Sequence, residues 1–376
     1  MSRPPLRVWV WTAAALALAV VATLLWRGSD AAATHSSTAR PADVPSGAPA
    51  GAVSAAWSAE GEPLPTDVVE GGRVLVGSAH GVRALDPVTG EEAWRYTRDN
   101  AWLCGLTATD GVAVAVFRTE DRCDEAVALD AGTGVRSWTR NVNYTADATI
   151  SSTDRTVLAT SSGGLVTLDP TGSGTRWRYA PPSGCRLLDS AVGDAGVAVL
   201  QRCTGGDATQ LRLLDGSTGD ERWTRDVVLD EREEGRLLGA DSLVGVLAGD
   251  EVRLFASGDG TLLTTLPAGP DRAVRQSSTF AAVLLHADGT LVALHPESAE
   301  RLWEHPATGL PGEPAGADVA AAPLAVPEDG AVVLRDPASG EELDRFTVEG
   351  LPDGGTATVV GPAIVLRLDD RVLGFR

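Results

Sequence analysis

Few residues in this chain have the type and spacing that chemistry needs. The five histidines, His35, His80, His286, His295 and His305, are scattered and make no ligand set. The sequence contains no GxxxxGK[ST], HExxH, EF-hand loop or GxSxG. That removes the best-defined phosphate, zinc-hydrolase, calcium and serine-nucleophile signatures. Two sets of residues remain. Cys104, Cys123, Cys185 and Cys203 are the only thiols, without the C-x-x-C spacing of zinc or redox sites. Asp86, Asp130, Asp169, Asp215 and Asp336 recur in similar surroundings, four of them directly after a leucine. Whether those aspartates form a carboxylate cluster or a turn device depends on the elements that carry them.

Those elements repeat. From residue 70 onward a Val/Leu/Ala-rich strand, a Gly-rich turn, a second strand ending in Leu-Asp, a Thr-Gly turn and a Trp follow one another. The clearest copies are Asp86 with Gly90 and Trp94, and Asp130 with Gly134 and Trp138. Asp169 with Trp177, and Asp215 with Gly219 and Trp223, keep the same interval of eight residues from Asp to Trp. His295 with Trp303 keeps the interval and loses the Asp. Phe255 with Leu263 is degraded further, and Asp336 with Gly340 keeps the turn without the Trp. The anchors at 86, 130, 169, 215, 255, 295 and 336 lie 39 to 46 residues apart. Such a period means one supersecondary unit per repeat, and strands in every unit mean propeller blades. Asp and Thr cap the turn and Gly supplies positive φ. Trp has the area to fill the wedge between neighbouring blades. The aspartates then lie on separate blades and read as caps, and the tryptophans read as packing rather than a sugar-stacking array. No catalytic, cofactor-binding or metal-ligating residue is assigned.

Seven anchors make seven blades, and the two ends supply another. Residues 356–376 carry strands with no turn or Trp after them, while Trp57 lies in an orphan strand with no repeat before it. The fold expected is therefore all-β: an eight-bladed propeller of four-stranded antiparallel blades over residues 53–376, closed by pairing 53–60 with 356–376. Seven blades is the alternative if the ends do not join. On this layout Cys104 opens the first strand of blade 2 and Cys123 follows its second. Cys185 and Cys203 repeat that arrangement in blade 4. Local disulfides Cys104–Cys123 and Cys185–Cys203 are predicted, since the start of one hairpin strand lies beside the end of the next.

The pattern Ala84-Leu85-Asp86…Thr89-Gly90…Trp94 resembles the tryptophan-docking repeat of quinoprotein-like propellers, and it recurs over nearly all of the domain. Within that family the chain looks most like the non-catalytic branch of the outer-membrane assembly factor BamB. The resemblance implies a rigid interaction scaffold. Catalytic members hold a quinone and calcium over the central channel and carry adjacent cysteines, and none of those residues maps onto this chain. No cofactor is expected.

The amino terminus bears on compartment. Val8 to Trp26 is an apolar run broken only by Thr12 and Thr23, spanning roughly 28 Å as a helix. Trp9, Trp11 and Trp26 sit near its ends, and Arg3 and Arg7 precede it, which places residues 1–7 in the cytoplasm and the rest outside. Ala31-Ala32-Ala33 would be the cleavage site if the run were a signal peptide, and the chain would then be secreted. The longer run ended by Arg27 favours a retained single-pass anchor over residues 8–26. Residues 27–52, rich in Ala, Ser, Thr, Pro and Gly, read as a flexible tether.

A net charge of −20 argues against nucleic acid as a partner, because its phosphates would be repelled. The expectation is a monomeric, membrane-anchored extracytoplasmic scaffold for another cell-envelope protein. A small-ligand or metal sensor using the central channel is the alternative, and a quinone-dependent dehydrogenase comes third. Irregular loops at Arg118–Glu125, Gln201–Gln210, Asp226–Arg236 and Pro306–Asp318 all fall on one face, where a partner would be sought.

Overall fold

Segments such as Val112–Arg118 and Leu243–Ala248 are apolar at nearly every position and almost wholly buried. A strand whose sheet is covered on both faces needs this composition, whereas a half-exposed strand alternates. The sheets are therefore stacked face to face around an axis. The computed structural model describes residues 6–41, 43–172, 174–204, 209–229, 235–315 and 322–376.

Among the described residues there are eight sheets. Blade 1 runs outward through Val69–Glu70, Arg73–Ser78, Gly81–Leu85 and Glu92–Arg98. Blades 2 to 6 repeat this four-stranded meander, their innermost strands being Trp102–Thr109, Thr149–Thr153, Cys185–Gly193, Arg236–Ala240 and Arg275–Ser278. Blade 7 comprises Leu324–Glu328, Ala331–Arg335 and Glu342–Val348, with Ala52–Val53 added in parallel at its outer edge. Blade 8 is built from both ends of the chain. Thr356–Val360, Ala363–Arg367 and Arg371–Phe375 are completed by Ala55–Glu60, with Ala55 opposite Phe375 and Glu60 opposite Arg371. The strand Ala55–Glu60 is thereby the outer edge of blade 8, and its Trp57 docks on blade 1, so the junction covers blade faces that an open ring would expose.

The core lies between blades rather than inside any one of them. Leu75 and Trp94 of blade 1, for example, pack with Leu106, Phe117 and Leu129 of blade 2. Each wedge needs its neighbour, so no blade holds a complete core of its own.

Two features depart from the expectations. Within the stretch read as a structureless tether, Thr34–Ser37 forms a strand antiparallel to the outer strand of blade 1, with Thr34 opposite Arg98 and Ser37 opposite Arg95. Farther on, the Ala39 N–H donates to the Thr133 carbonyl of blade 2. An added edge strand is held by backbone hydrogen bonds, so it needs no apolar periodicity and leaves none to read. The second departure concerns the cysteines. In blade 4, Cys185 and Cys203 are opposed residues on the first two strands. In blade 2, Cys104 lies within the first strand, at a bulge between Leu103 and Gly105, and Cys123 begins the third. The two staples are thus not the same arrangement, because the bulge turns Cys104 out of the regular alternation.

The described residues include one helix long and apolar enough to cross a membrane, at Trp9–Arg27 within the helix Leu6–Arg27.

Candidate functional site

The repeated aspartates act within their own turns. Asp86 Oδ1 accepts from the N–H groups of Val88 and Thr89, both at 2.9 Å. Asp215 and Asp336 accept from the same two positions in their blades, Asp130 from the second of them and Asp169 from the first. His295 takes that place in blade 6, its Nδ1 accepting from Glu297 and Ser298. These five carboxylates are not brought together.

The tryptophans join blades in sequence. The Trp94 indole N–H donates to Ala131 of blade 2 at 2.8 Å, and its ring lies against Gly134. Trp138, Trp177, Trp223 and Trp303 treat the next blade in the same way, donating to Pro170, Gly216, Ser257 and Pro337. Trp57 donates to Pro87 and lies against Gly90, so the same contact closes the ring between blades 8 and 1. At Gly134 and Gly219 a Cβ would come 2.7 Å from the ring, and φ is positive at both. Glycine is required there on two counts.

The ring offers two unlike faces. One carries the short Asp-to-Gly turns. The other carries the links between blades and the loops after each second strand, and it holds both disulfides, Cys104–Cys123 and Cys185–Cys203. On that face Trp102 is 53% exposed and stacks on His80 with ring centroids 4.4 Å apart. Val228, on the link from blade 4 to blade 5, is 73% exposed. Of the irregular loops expected there, Arg118–Glu125 is described throughout. In Gln201–Gln210, Asp226–Arg236 and Pro306–Asp318, residues 205–208, 230–234 and 316–318 lie outside the described residues.

A cavity of about 1070 Å³ follows the ring axis, lined by the innermost strands. Toward the turn face its wall holds a set of acids distinct from the aspartates of the Asp-to-Gly turns. Asp154, Asp194 and Asp241 occupy the turn after the innermost strand in blades 3, 4 and 5, and Asp67 and Glu313 join them. Several stitch adjacent blades. Asp241 Oδ1 accepts from the Asp194 N–H at 3.1 Å, and Asp154 Oδ1 from the Thr109 hydroxyl at 3.4 Å. Glu70 Oε1 accepts from Gly71 and, across to blade 2, from Gly111. Desolvation in the cavity, with the other carboxylates adding repulsion, pushes Glu313 up to about 7. Asp241 is pushed up to about 6, again by burial first and then by Asp194. Asp67 and Glu70 are raised for the same reasons. Asp110, Asp154, Asp194 and Asp241 recur at intervals of 44, 40 and 47 residues, a spacing that by itself does not say which way their side chains face. Turn aspartates at the outer edge diverge, whereas those beside the innermost strand face a common axis.

This wall does not fit a quinone and calcium. Its acids sit on separate blades, and no group of three or more His, Cys, Asp or Glu side chains suited to a metal occurs among the described residues. The aromatic side chain lining the cavity is Phe280, 87% exposed at its rim, while the repeat tryptophans are committed to the joints between blades.

A closed ring of eight sheets with tryptophans docked on successive turns defines an eight-bladed β-propeller of the quinoprotein-like repeat class. A family model described as outer membrane protein assembly factor BamB matches residues 23–194 and 186–372, and the chain belongs to that family. Among solved structures, BamB from Moraxella catarrhalis is 18% identical, with 86% of this chain and 99% of that one covered and a TM-score of 0.47. The computationally designed Ika8 protein is 15% identical, with coverage of 88% and 98% and a TM-score of 0.50. Quinohemoprotein alcohol dehydrogenase from Comamonas testosteroni is 12% identical, with coverage of 86% and 76% and a TM-score of 0.49. At these identities the likeness is one of fold alone. No curated protein matches the chain.

Proposed function

We propose that this chain is a membrane-anchored, extracytoplasmic scaffold, not an enzyme, and that it presents the loop-bearing face of its propeller to another cell-envelope protein. The observation that carries this reading is the asymmetry of the two faces. The turn face is built from repeated short turns, whereas the loop face carries irregular segments pinned by two disulfides. Loops held rigid in this way lose little entropy on binding. Membership in a BamB family supports the same reading.

Photo-crosslinking side chains at Thr204 and Val228, on the loop face of blades 4 and 5, test it in intact membranes. One envelope protein captured from both positions, and not from Ser217 on the turn face, is expected. Equal capture from both faces would sink it.

The acidic cavity favours a second reading, a channel that takes a cationic ligand. Acids spread over several blades suit an extended polycation better than a single metal ion. Titration calorimetry with spermine at pH 8 checks this. Saturable binding that weakens when Asp154 and Asp241 are both changed to Asn would support it.

A further inference from the structure

We infer that the propeller does not swing on its anchor but is seated against the bilayer, with the rim of blades 1 and 2 turned to the lipid headgroups. This rests on the reading that the apolar helix is retained as an anchor.

The length of chain between the two is the first argument. The helix ends at Arg27, and Asp30 is already bound to the propeller, so the connection is two residues, Gly28 and Ser29, and at most about 10 Å. The second argument is the number of ties at that point. Asp30 pairs with Arg98 Nη2 at 2.9 Å and accepts from Asn100 at 2.7 Å. The Asp99 N–H donates to the Ala33 carbonyl at 2.9 Å, and His35 meets Asp99 at 3.1 Å. The strand Thr34–Ser37 then continues along Arg95–Arg98. Arg98 is 1% exposed and also holds Glu125, on the third strand of blade 2. Releasing the segment would take one of two carboxylates from a buried guanidinium and leave it Glu125 alone, so release is opposed by more than an exposed ion pair would suggest.

Position supplies the third argument. Arg98 to Trp102 form the link between blades 1 and 2 on the loop face. The exposed Trp102, stacked on His80, has the amphipathic character that headgroup regions favour. Charge does not produce the seat, since a chain of net charge −20 is repelled by anionic lipid. The short covalent connection does. A consequence is that the acidic mouth of the cavity, on the opposite face, points away from the membrane.

The test uses the full chain in phosphatidylcholine nanodiscs, spin-labelled at one introduced cysteine, Glu120→Cys near the rim or Ser217→Cys on the turn face. The native cysteines are paired and take no label. Relaxation by oxygen relative to a water-soluble nickel chelate is expected to be several-fold higher at 120 than at 217. Inserting a Gly/Ser stretch between Gly28 and Ser29 should bring the two values together. Equal ratios in the uninserted chain would overturn the seat, as would a contrast that survives the insertion. Intact mass of the membrane-extracted chain is read separately. A mass starting after Ala33 would overturn the anchor reading itself, and a full-length mass keeps the two questions apart.

Discussion

The joint between blades comes down to one tryptophan on one glycine. Trp94 is fully buried over Gly134, where a Cβ would sit 2.7 Å from the ring. Replacing Trp94 by Ala should cost about 3–5 kcal/mol in a denaturant titration, from lost area and the cavity left behind. Gly134→Ala should also destabilise, by at least about 1 kcal/mol, through contact and positive φ together. Blade 6 provides the control. Ala299 holds the corresponding position at φ +56 and faces Leu263 instead of a Trp. In Ala299→Gly, relief of the positive φ should offset the lost methyl contact, leaving stability unchanged or slightly raised, and a large loss there would contradict the account. The channel acids make a second prediction at this scale. A carboxyl raised in the folded state is best tolerated when protonated. Glu313, ordinarily at 4.5, is raised to about 7, so its stability contribution is retained below about 4.5 and lost as pH rises through about 7. Glu313→Gln should raise the thermal midpoint at pH 8 and leave it unchanged at pH 4. The gain is about 1 kcal/mol once solvent screening is allowed for. A midpoint gain equal at both pH values would refute the argument.

At the scale of elements, closure by Ala55–Glu60 matters more than its six residues suggest, because it supplies the outer strand of blade 8 and places Trp57 over blade 1. A chain beginning at residue 62 should melt well below the intact one by circular dichroism, and the loss should spread to the whole ring. An unchanged midpoint would mean the blades are stable without closure. The disulfides act locally. Each closes a loop of fewer than 20 residues, worth about 3 kcal/mol in a chain-entropy account. The paired change Cys185→Ser with Cys203→Ser should lower the midpoint while the ring stays folded, as judged by an intact far-ultraviolet spectrum. These staples were legible because each pair falls within one repeat, opposed in a hairpin in blade 4 and joined from first to third strand in blade 2. The strand Thr34–Ser37 was not, because pairing at an edge draws on backbone groups that every sequence has.

For the whole molecule, ring closure turns one repeat into two kinds of site. The repeat period, the Asp-to-Trp interval and the orphan strands at the two ends determined blade type, blade number and the way the ring shuts, since each depends on contacts within a repeat or between neighbours. Turn chemistry at Asp86 and its equivalents was likewise local and readable. The acidic cavity wall was not, although its residues recur at repeat spacing. Asp154, Asp194 and Asp241 approach one another only because eight wedges of sheet bring their innermost strands around one axis. The tie between Asp30 and Arg98 depends on tertiary structure in the same way. A polar Ala-rich stretch carries no pattern that names its partner, and Arg98 becomes that partner only when folding buries it beside Glu125. Local interactions leave a periodic trace along the chain. Convergence on an axis, and the docking of a segment on a finished surface, cannot be read from such a trace, because they are set by the geometry of the closed ring.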